Sequence, residues 1–314
     1  MIKTQDGYIV AYGNIIFETG LGRYNYLTSK VPVQIPVIGA ANAVYQSISL
    51  DLDNRIIYCL INGSLYLINL DTWQVITSVT FNSTSWIFVD KARGWLISVD
   101  AVSNLNLKKF SLSDLSLLSS FQITTLTPDN FSCDYDFEGG IMYVHRTARP
   151  TVTASLYKIN VVNLTLVNNT DTAAGGIANN PFYTPGLSFD SIRNLLITTT
   201  GAVTASQIQI FDANLIPVNN NVVSNINIGV STAKGIFYDK FTSTYNFQII
   251  VPHDAASVAS INSSTLLPTS NPMVSFSNPG TANFCNYVLF YTDTDGSRYC
   301  LQCITQGINI FKYQ

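Results

Sequence analysis

Ile48-Ser49-Leu50-Asp51, Arg55-Ile56-Ile57-Tyr58-Cys59-Leu60, Ser64-Leu65-Tyr66-Leu67-Ile68-Asn69 and Gln74-Val75-Ile76-Thr77-Ser78-Val79 are four short apolar-rich segments in close succession. Each has the length of a β-strand, and Val, Ile, Leu and Tyr fill positions that suit a pleated, half-buried surface. Asn62-Gly63 between the second and third segments is a strong hairpin signal, because a tight two-residue turn needs positive φ at both positions. Asp51 ends the first segment, where a short carboxylate can accept backbone N–H bonds in the following turn. A sheet of four such strands cannot bury both of its faces alone.

The unit recurs. A second copy holds Ile87 to Asp90, Gly94 to Val99, Leu105 to Phe110 and Leu117 to Ile123, and a third holds Asp136, Ile141 to Val144 and Ser155 to Asn160. Weaker copies follow at Leu187 to Asp190, Leu195 to Thr198 and Gln207 to Asp212, then at Ile236 to Asp239, Tyr245 to Val251 and Val258 to Asn262. The sixth runs Tyr287 to Tyr291, Arg298 to Leu301 and Ile308 to Lys312. Taking Asp51, Asp90, Asp136, Asp190, Asp239 and Asp293 as markers gives spacings of 39, 46, 54, 49 and 54 residues. Four strands in a period of about 40 to 50 residues is the signature of a β-propeller, whose blades bury their faces against one another in a ring. No useful stretch has helical periodicity, so the expected class is all-β. The first five aspartates are expected as structural turn residues.

The apolar-x-apolar-Asp pattern, followed by Arg55 to Tyr58 and then Ser64 to Thr72, resembles the surface-layer (YVTN) and NHL-like propeller repeats. The resemblance covers the chain from about Ala43 onward and implies architecture, not activity. Residues 1–44 are expected to be closing strand and linker, and 45–314 the blades. The chain ends on what reads as a third strand, Ile308 to Tyr313, so the sixth blade lacks its outer strand. Tyr8 to Tyr12 or Asn14 to Phe17 can supply it, giving six blades tied at the termini. Alternatively, Tyr8 to Val33 forms most of a seventh blade.

Composition narrows the function classes. Of 314 residues 47% are apolar but only 11% are charged, under half the usual share of about 25%. That excludes a disordered chain, which combines high charge with low hydrophobicity. Sixteen Lys and Arg against nineteen Asp and Glu leave no basic surplus for a phosphate backbone, so no nucleic-acid partner is expected. No apolar run approaches the roughly 20 residues of a membrane span, and Met1 to Tyr8 shows no signal-peptide pattern. Five scattered cysteines do not form a disulfide framework. Cys300 and Cys303 lie three apart in an expected strand, which points them to opposite faces and is wrong for a chelate. The six Asn-x-Ser/Thr triplets, at Asn62, Asn82, Asn130, Asn163, Asn168 and Asn262, match what the abundance of Asn, Ser and Thr produces by chance.

No catalytic, cofactor or metal set emerges. The expected inner-strand starts, Tyr45 to Ser47, Thr84 to Trp86, Phe131-Ser132, Thr184 to Gly186, Ala233 to Gly235 and Asn283 to Cys285, contain one Lys and no carboxylate. Lactonase-like propellers hold a divalent cation there with several oxygen ligands, and Asp129 is the nearest acid. No nucleophile elbow or Walker loop occurs. His145, Arg146 and Arg149 read as a solvated loop, His253 beside Asp254 as a strand-ending turn, and Asp293 to Ser297 as a hairpin turn.

These features favour a non-catalytic structural or docking module. The charge-poor, Asn-, Ser- and Thr-rich composition looks like that of phage and viral structural proteins, which implies a virion or tail component contacting other subunits, with a cell-surface receptor or glycan as a further expected partner. A cytoplasmic location is the alternative. A carbohydrate-binding propeller is a second reading, with Tyr24, Tyr26, Trp73 and Tyr183 as stacking candidates. A metal-dependent propeller hydrolase is a third.

Overall fold

Each of the first five repeats folds into an antiparallel meander of four strands. The first blade comprises Tyr45–Asp51, Ile56–Ile61, Ser64–Asn69 and Val75–Thr80; the second Ser85–Asp90, Trp95–Asp100, Leu105–Ser111 and Leu117–Thr124; the third Phe131–Asp136, Ile141–Arg146, Ser155–Asn160 and Thr165–Asp171. The fourth comprises Gly186–Asp190, Leu195–Gly201, Ser206–Asp212 and Val223–Ile226, and the fifth Thr232–Asp239, Thr244–Val251, Ala255–Asn262 and Val274–Ser277. The computed structural model describes residues 2–4, 7–9, 26–33, 45–81, 85–100, 104–125, 131–146, 155–171, 186–201, 206–218, 223–226, 232–239, 243–251, 255–265, 274–277, 287–304 and 307–313. Among them the only helical segment is a single 3-10 turn, Lys91–Arg93.

The sixth sheet joins the two ends of the chain. Tyr287–Thr292, Arg298–Ile304 and Gly307–Tyr313 are completed by Tyr26–Val33, which pairs antiparallel to the last strand with Ile310 opposite Lys30 and Tyr313 opposite Tyr26. Closure by an N-terminal strand is as expected, but the segment is not. Gly7–Ile9 pairs with Ile2–Thr4 in a terminal hairpin, and Asn14 to Phe17 lies outside the described residues. The reason is visible in Tyr26–Val33 itself, which carries Pro32. A proline has no N–H to give a ladder and is tolerated on an outer edge, the position this strand takes. Most of the stretch read alternatively as a seventh blade thus divides between the hairpin, this edge and undescribed residues.

The first strand of each blade lies against the first strand of the next, and Tyr287–Thr292 lies against Tyr45–Asp51. The chain is therefore a β-propeller, with first strands innermost. The core sits between blades. Ile57, Cys59 and Ile61 pack toward the sixth blade with Leu301, whereas Tyr58 and Leu60 pack toward Ile87, Val89 and Leu96 of the second. Likewise Met142 and Val144 face the second blade and Tyr143 faces the fourth. Second strands are thus sandwiched on both faces, which explains why they read as continuous apolar runs. Fourth strands are peripheral, and Val75–Thr80 is almost wholly exposed.

Turn geometry repeats as well. Asn62 and Gly63 have φ of 48° and 76°, as a two-residue hairpin requires. Trp73, Leu115, Leu164 and Leu215, one in each turn from third to fourth strand of the first four blades, also have positive φ. That conformation is uncommon for bulky residues. Each of these side chains packs on a core cluster, so burial offsets the strain.

The inner strands splay apart and form no ladder between blades among the described residues. Side chains bridge the gap instead. Ser47 Oγ accepts from Ile87 N at 3.1 Å and Ser49 Oγ from Val89 N at 2.9 Å; Asp134 Oδ2 accepts from Phe189 N at 2.7 Å and Ser188 Oγ from Tyr238 N at 3.1 Å. The residue two before the marker Asp thus serves the residue one before the marker of the next blade. Replacing Ser49 or Ser188 by Ala leaves a buried N–H unsatisfied and is expected to cost about 1–2 kcal/mol, read by urea denaturation. Ser191→Ala, at an exposed turn position, serves as a control expected within about 0.5 kcal/mol of the parent; equal effects would refute the bridging role.

Candidate functional site

First strands run from an upper face, where they begin, to a lower face, where they end. Turns from first to second and from third to fourth strand both fall on the lower face, and the marker aspartates sit there. Asp51 Oδ1 accepts from Asn54 N at 3.1 Å, Asp90 Oδ1 from Arg93 N at 3.2 Å, Asp136 Oδ1 from Glu138 N and Gly139 N at 3.1 Å, and Asp190 Oδ1 from Ile192 N and Arg193 N at 3.0 Å. A Cβ at Gly139 would stand 2.3 Å from Asp136 Oδ2, so a larger residue there would push the carboxylate out of its turn bonds. Asp239 ends the first strand of the fifth blade, with its side chain outside the described residues.

The second carboxylate oxygen reaches across a seam. Asp90 Oδ2 accepts from the Tyr135 hydroxyl of the third blade at 2.7 Å and from Arg93 Nη1 at 2.8 Å. Asp190 Oδ2 accepts from the Tyr245 hydroxyl of the fifth blade at 2.9 Å and from Arg193 Nη1 at 2.9 Å. The same arginines continue onward: Arg93 donates to the Phe137 and Glu138 carbonyls, and Arg193 to the Tyr238 hydroxyl and Ser264 Oγ. Lys91 of the second blade pairs with Asp51 and Asp53 of the first, and Arg55 of the first pairs with Asp293 of the sixth. Burial raises the Asp51 carboxyl pKa, but hydrogen bonds from Asn54 and Lys91 outweigh it and leave the group below the ordinary carboxylate range.

At the upper face the structure departs from the sequence reading. His145 and Arg146 are not in a solvated loop; they end the strand Ile141–Arg146, and both are buried. The strand runs two residues further than its apolar content suggests because the fourth blade covers it. Neither ring nitrogen of His145 makes a well-formed hydrogen bond, and its contact to the Gly186 backbone falls short of that geometry. Burial drives the imidazole pKa down to about 4, with the Gly186 contact opposing. Asp134 lies in the middle of the inner strand Phe131–Asp136, past the strand starts at which channel acids are expected. Burial pushes its carboxyl up to about 6, against hydrogen bonds from Phe189 N, Tyr135 N and Ser188.

The remaining candidates scatter. Trp73 is half-buried and packs on the cluster joining the first and sixth blades, which removes it as an open stacking platform. Tyr26 lies in the closing strand, and Tyr24 and Tyr183 fall outside the described residues, as do Arg149, Asp129, His253 and Cys285. Asp293 to Ser297 forms a turn with Gly296 N donating to the Asp293 carbonyl at 2.9 Å. Cys59 and Cys133 are buried free thiols, and Cys300 and Cys303 share one strand. Among the described residues no three His, Cys, Asp or Glu side chains are grouped to hold a metal ion, and no helix is long and apolar enough to cross a membrane.

A cavity of about 370 Å³ opens where first strands end, lined by Leu50, Leu52, Lys91, Phe137, Leu289 and Tyr291 among others. Its walls are mostly apolar. Around it, the exposed large apolar side chains of the described residues concentrate at the same end of the molecule. Phe137, Val162, Ile192 and Ile216 occupy lower-face turns, and Ile76, Leu117, Leu118, Leu166 and Val167 occupy the lower ends of fourth strands. Sequence reading could not separate these from core residues, since apolar content alone does not reveal which strand is outermost.

No protein-family profile matches the sequence, and no curated protein matches it either. Among solved structures, the chain is similar to a chain of Kuenenia stuttgartiensis hydrazine synthase, with a TM-score of 0.57 at 13% identity, over 82% of this chain and 73% of that one. It is also similar to a chain of a nidogen/laminin complex, with a TM-score of 0.52 at 11% identity, over 76% of this chain and 81% of that one. At such identities the likeness is one of fold.

Two predictions follow from the charged groups. Asp90→Ala or Asp190→Ala strands a buried tyrosine hydroxyl and removes an arginine partner at a seam and is expected to cost about 2–3 kcal/mol, whereas Asp136→Ala removes turn bonds alone and is expected to cost about 1 kcal/mol; chemical denaturation ranks them. His145 and Asp134 titrate with opposite consequences. As pH falls from about 6.5 to 4 the unfolded state takes up the histidine proton first, so this group destabilises the fold toward acid. As pH rises from about 4 to 6 the folded state retains the Asp134 proton, so this group destabilises the fold toward neutrality. His145→Leu should therefore lose stability as pH rises from 4 to 6, and Asp134→Asn should lose it as pH falls, each by on the order of 1–2 kcal/mol relative to the parent slope. Matching slopes in the two variants would contradict the assignment.

Proposed function

We propose that this propeller is a non-catalytic docking module with YVTN/NHL-type repeats, built into a larger assembly as a virion or phage tail component whose outer surfaces contact other subunits. The observation that carries the reading is the character of the outer edges. Val75–Thr80, Leu117–Thr124 and Thr165–Asp171 are the outermost strands of the first three blades, and between them they contain one charged residue, Asp171, and no proline. Freely diffusing proteins blunt such edges with Lys, Pro or inward charges, because an open edge templates pairing with another chain. Bulges between third and fourth strands interrupt each edge near its beginning, and the second blade's edge again near its end, and leave the stretch between open.

Equivalent residues on these edges are apolar and exposed: Ile76, Leu118 and Val167 are 54%, 51% and 51% accessible. Low overall charge supports the same reading, since neighbouring subunits meet without strong repulsion. The nidogen/laminin relative in fold comes from a protein complex, while hydrazine synthase is an enzyme, so fold kinship leaves the choice to the surface chemistry.

Isolation of the particle containing the chain is expected to give a fixed copy number, with contacts burying well over about 1,000 Å² each. The triple variant Ile76→Lys, Leu118→Lys, Val167→Lys is expected to fold with stability near that of the parent, since the sites are exposed, yet to be excluded from the particle. A monodisperse monomer that never co-purifies with a partner would overturn the reading.

A further inference from the structure

We infer that the lower face around the channel mouth is a docking surface for a protein segment of net positive charge that carries an aromatic or large aliphatic anchor. The inference rests on the docking reading and adds the face and the chemistry of the partner. Three observations converge on it.

The first is the cavity. At about 370 Å³ it is an open, mostly apolar depression with room for one large side chain. Phe137 stands on its rim and is 49% exposed.

The second is the apolar surface beyond the rim. Ile192 and Ile216 are 62% and 60% exposed on turns of the fourth blade, and Val162 is 49% exposed on the third. Exposed apolar side chains gathered on one face mark interaction sites, and an anchor pocket on that face matches the arrangement of interface hot spots.

The third is charge, which selects the occupant. Among the described residues, the exposed charged side chains of lower-face turns are Asp53, Asp71, Asp114, Glu138 and Asp295 against Lys91, while Arg55, Arg93 and Arg193 are part-exposed on the same turns and already paired, Arg55 with Asp71 and Asp293, Arg93 with Asp90 and Arg193 with Asp190. Lys91 is itself held by Asp51 and Asp53. A second copy docking through this face would bring the same carboxylates against their like, whereas a basic segment would be complemented and steered toward the mouth.

The test uses the full chain and fluorescently labelled synthetic peptides of net positive, zero and net negative charge, each with and without one central Trp. Anisotropy is expected to show binding of the positive Trp peptide alone, weakening as salt is added. Glu138→Lys, at an exposed position, should weaken it roughly tenfold, as should Phe137→Ser, with thermal melting used to establish that both variants fold. The edge variant with lysines at 76, 118 and 167 should bind as the parent does. Indifference to peptide charge, insensitivity to Glu138→Lys, uptake of an apolar dye without the peptide, concentration-dependent self-association through this face, or no binding at all would each overturn the inference. A chain incorporated into a particle through its edges while the peptides fail to bind would sink this inference and leave the docking reading standing.

Discussion

The structure depends on satisfying the inner edge of every blade. A sheet that wedges into a ring presents its first strand to the channel, and half of the N–H groups of that strand point away from its own ladder. Buried main-chain donors without partners are costly, and neighbouring inner strands diverge too far for regular pairing. Side-chain oxygens from the preceding blade fill the gap at Ser47, Ser49, Asp134 and Ser188. The pattern even accounts for the exception. Phe88 occupies the equivalent place in the second blade and has no oxygen to offer Tyr135 N. Asp134 takes over, one oxygen accepting from Tyr135 N at 2.8 Å and the other from Phe189 N. A carboxylate with two acceptor atoms does at this seam what two serines do elsewhere.

The lower-face network acts at the opposite end of the same seams. Where inner-strand bridges fix how blades approach, the Asp90 and Asp190 carboxylates fix where each turn stands relative to the next blade, because one oxygen is bound within the turn and the other across the seam. Seams differ in strength for this reason. Asp136 binds its own turn, and the third and fourth blades meet instead through Tyr143 stacked on Phe189 and Asn168 donating to the Asn214 carbonyl. Holding the turns rigid also holds the exposed apolar groups of the lower face in one arrangement, which lowers the ordering cost of any contact made there.

Much of this was legible in the chain. Marker aspartates, strand lengths and the Asn62-Gly63 turn follow from local chemistry, which short segments carry by themselves. Other features were hidden because a distant blade creates them. Leu115, Leu164 and Leu215 read as ordinary apolar residues and Trp73 as a stacking candidate, and only packing reveals that all four occupy strained turn positions. His145 follows the apolar run Ile141 to Val144 and precedes Arg146, a context that reads as the start of a loop until the fourth blade buries it. The apolar stretches Tyr8 to Tyr12 and Asn14 to Phe17 read as closing strands, whereas Tyr26–Val33, with Pro32 and Lys30, takes that place because pairing with the last strand decides it.

Sequence by itself determined an all-β chain of repeated four-stranded units with aspartate turns and a low surface charge, because strand periodicity, turn preference and composition act over a few residues. Tertiary structure decided which N-terminal segment closes the ring, which oxygens serve which inner edges, and which apolar residues remain exposed on the lower face. Those outcomes depend on contacts between residues tens to hundreds of positions apart, as with Arg55 and Asp293, and no local pattern encodes the geometry that brings such residues together.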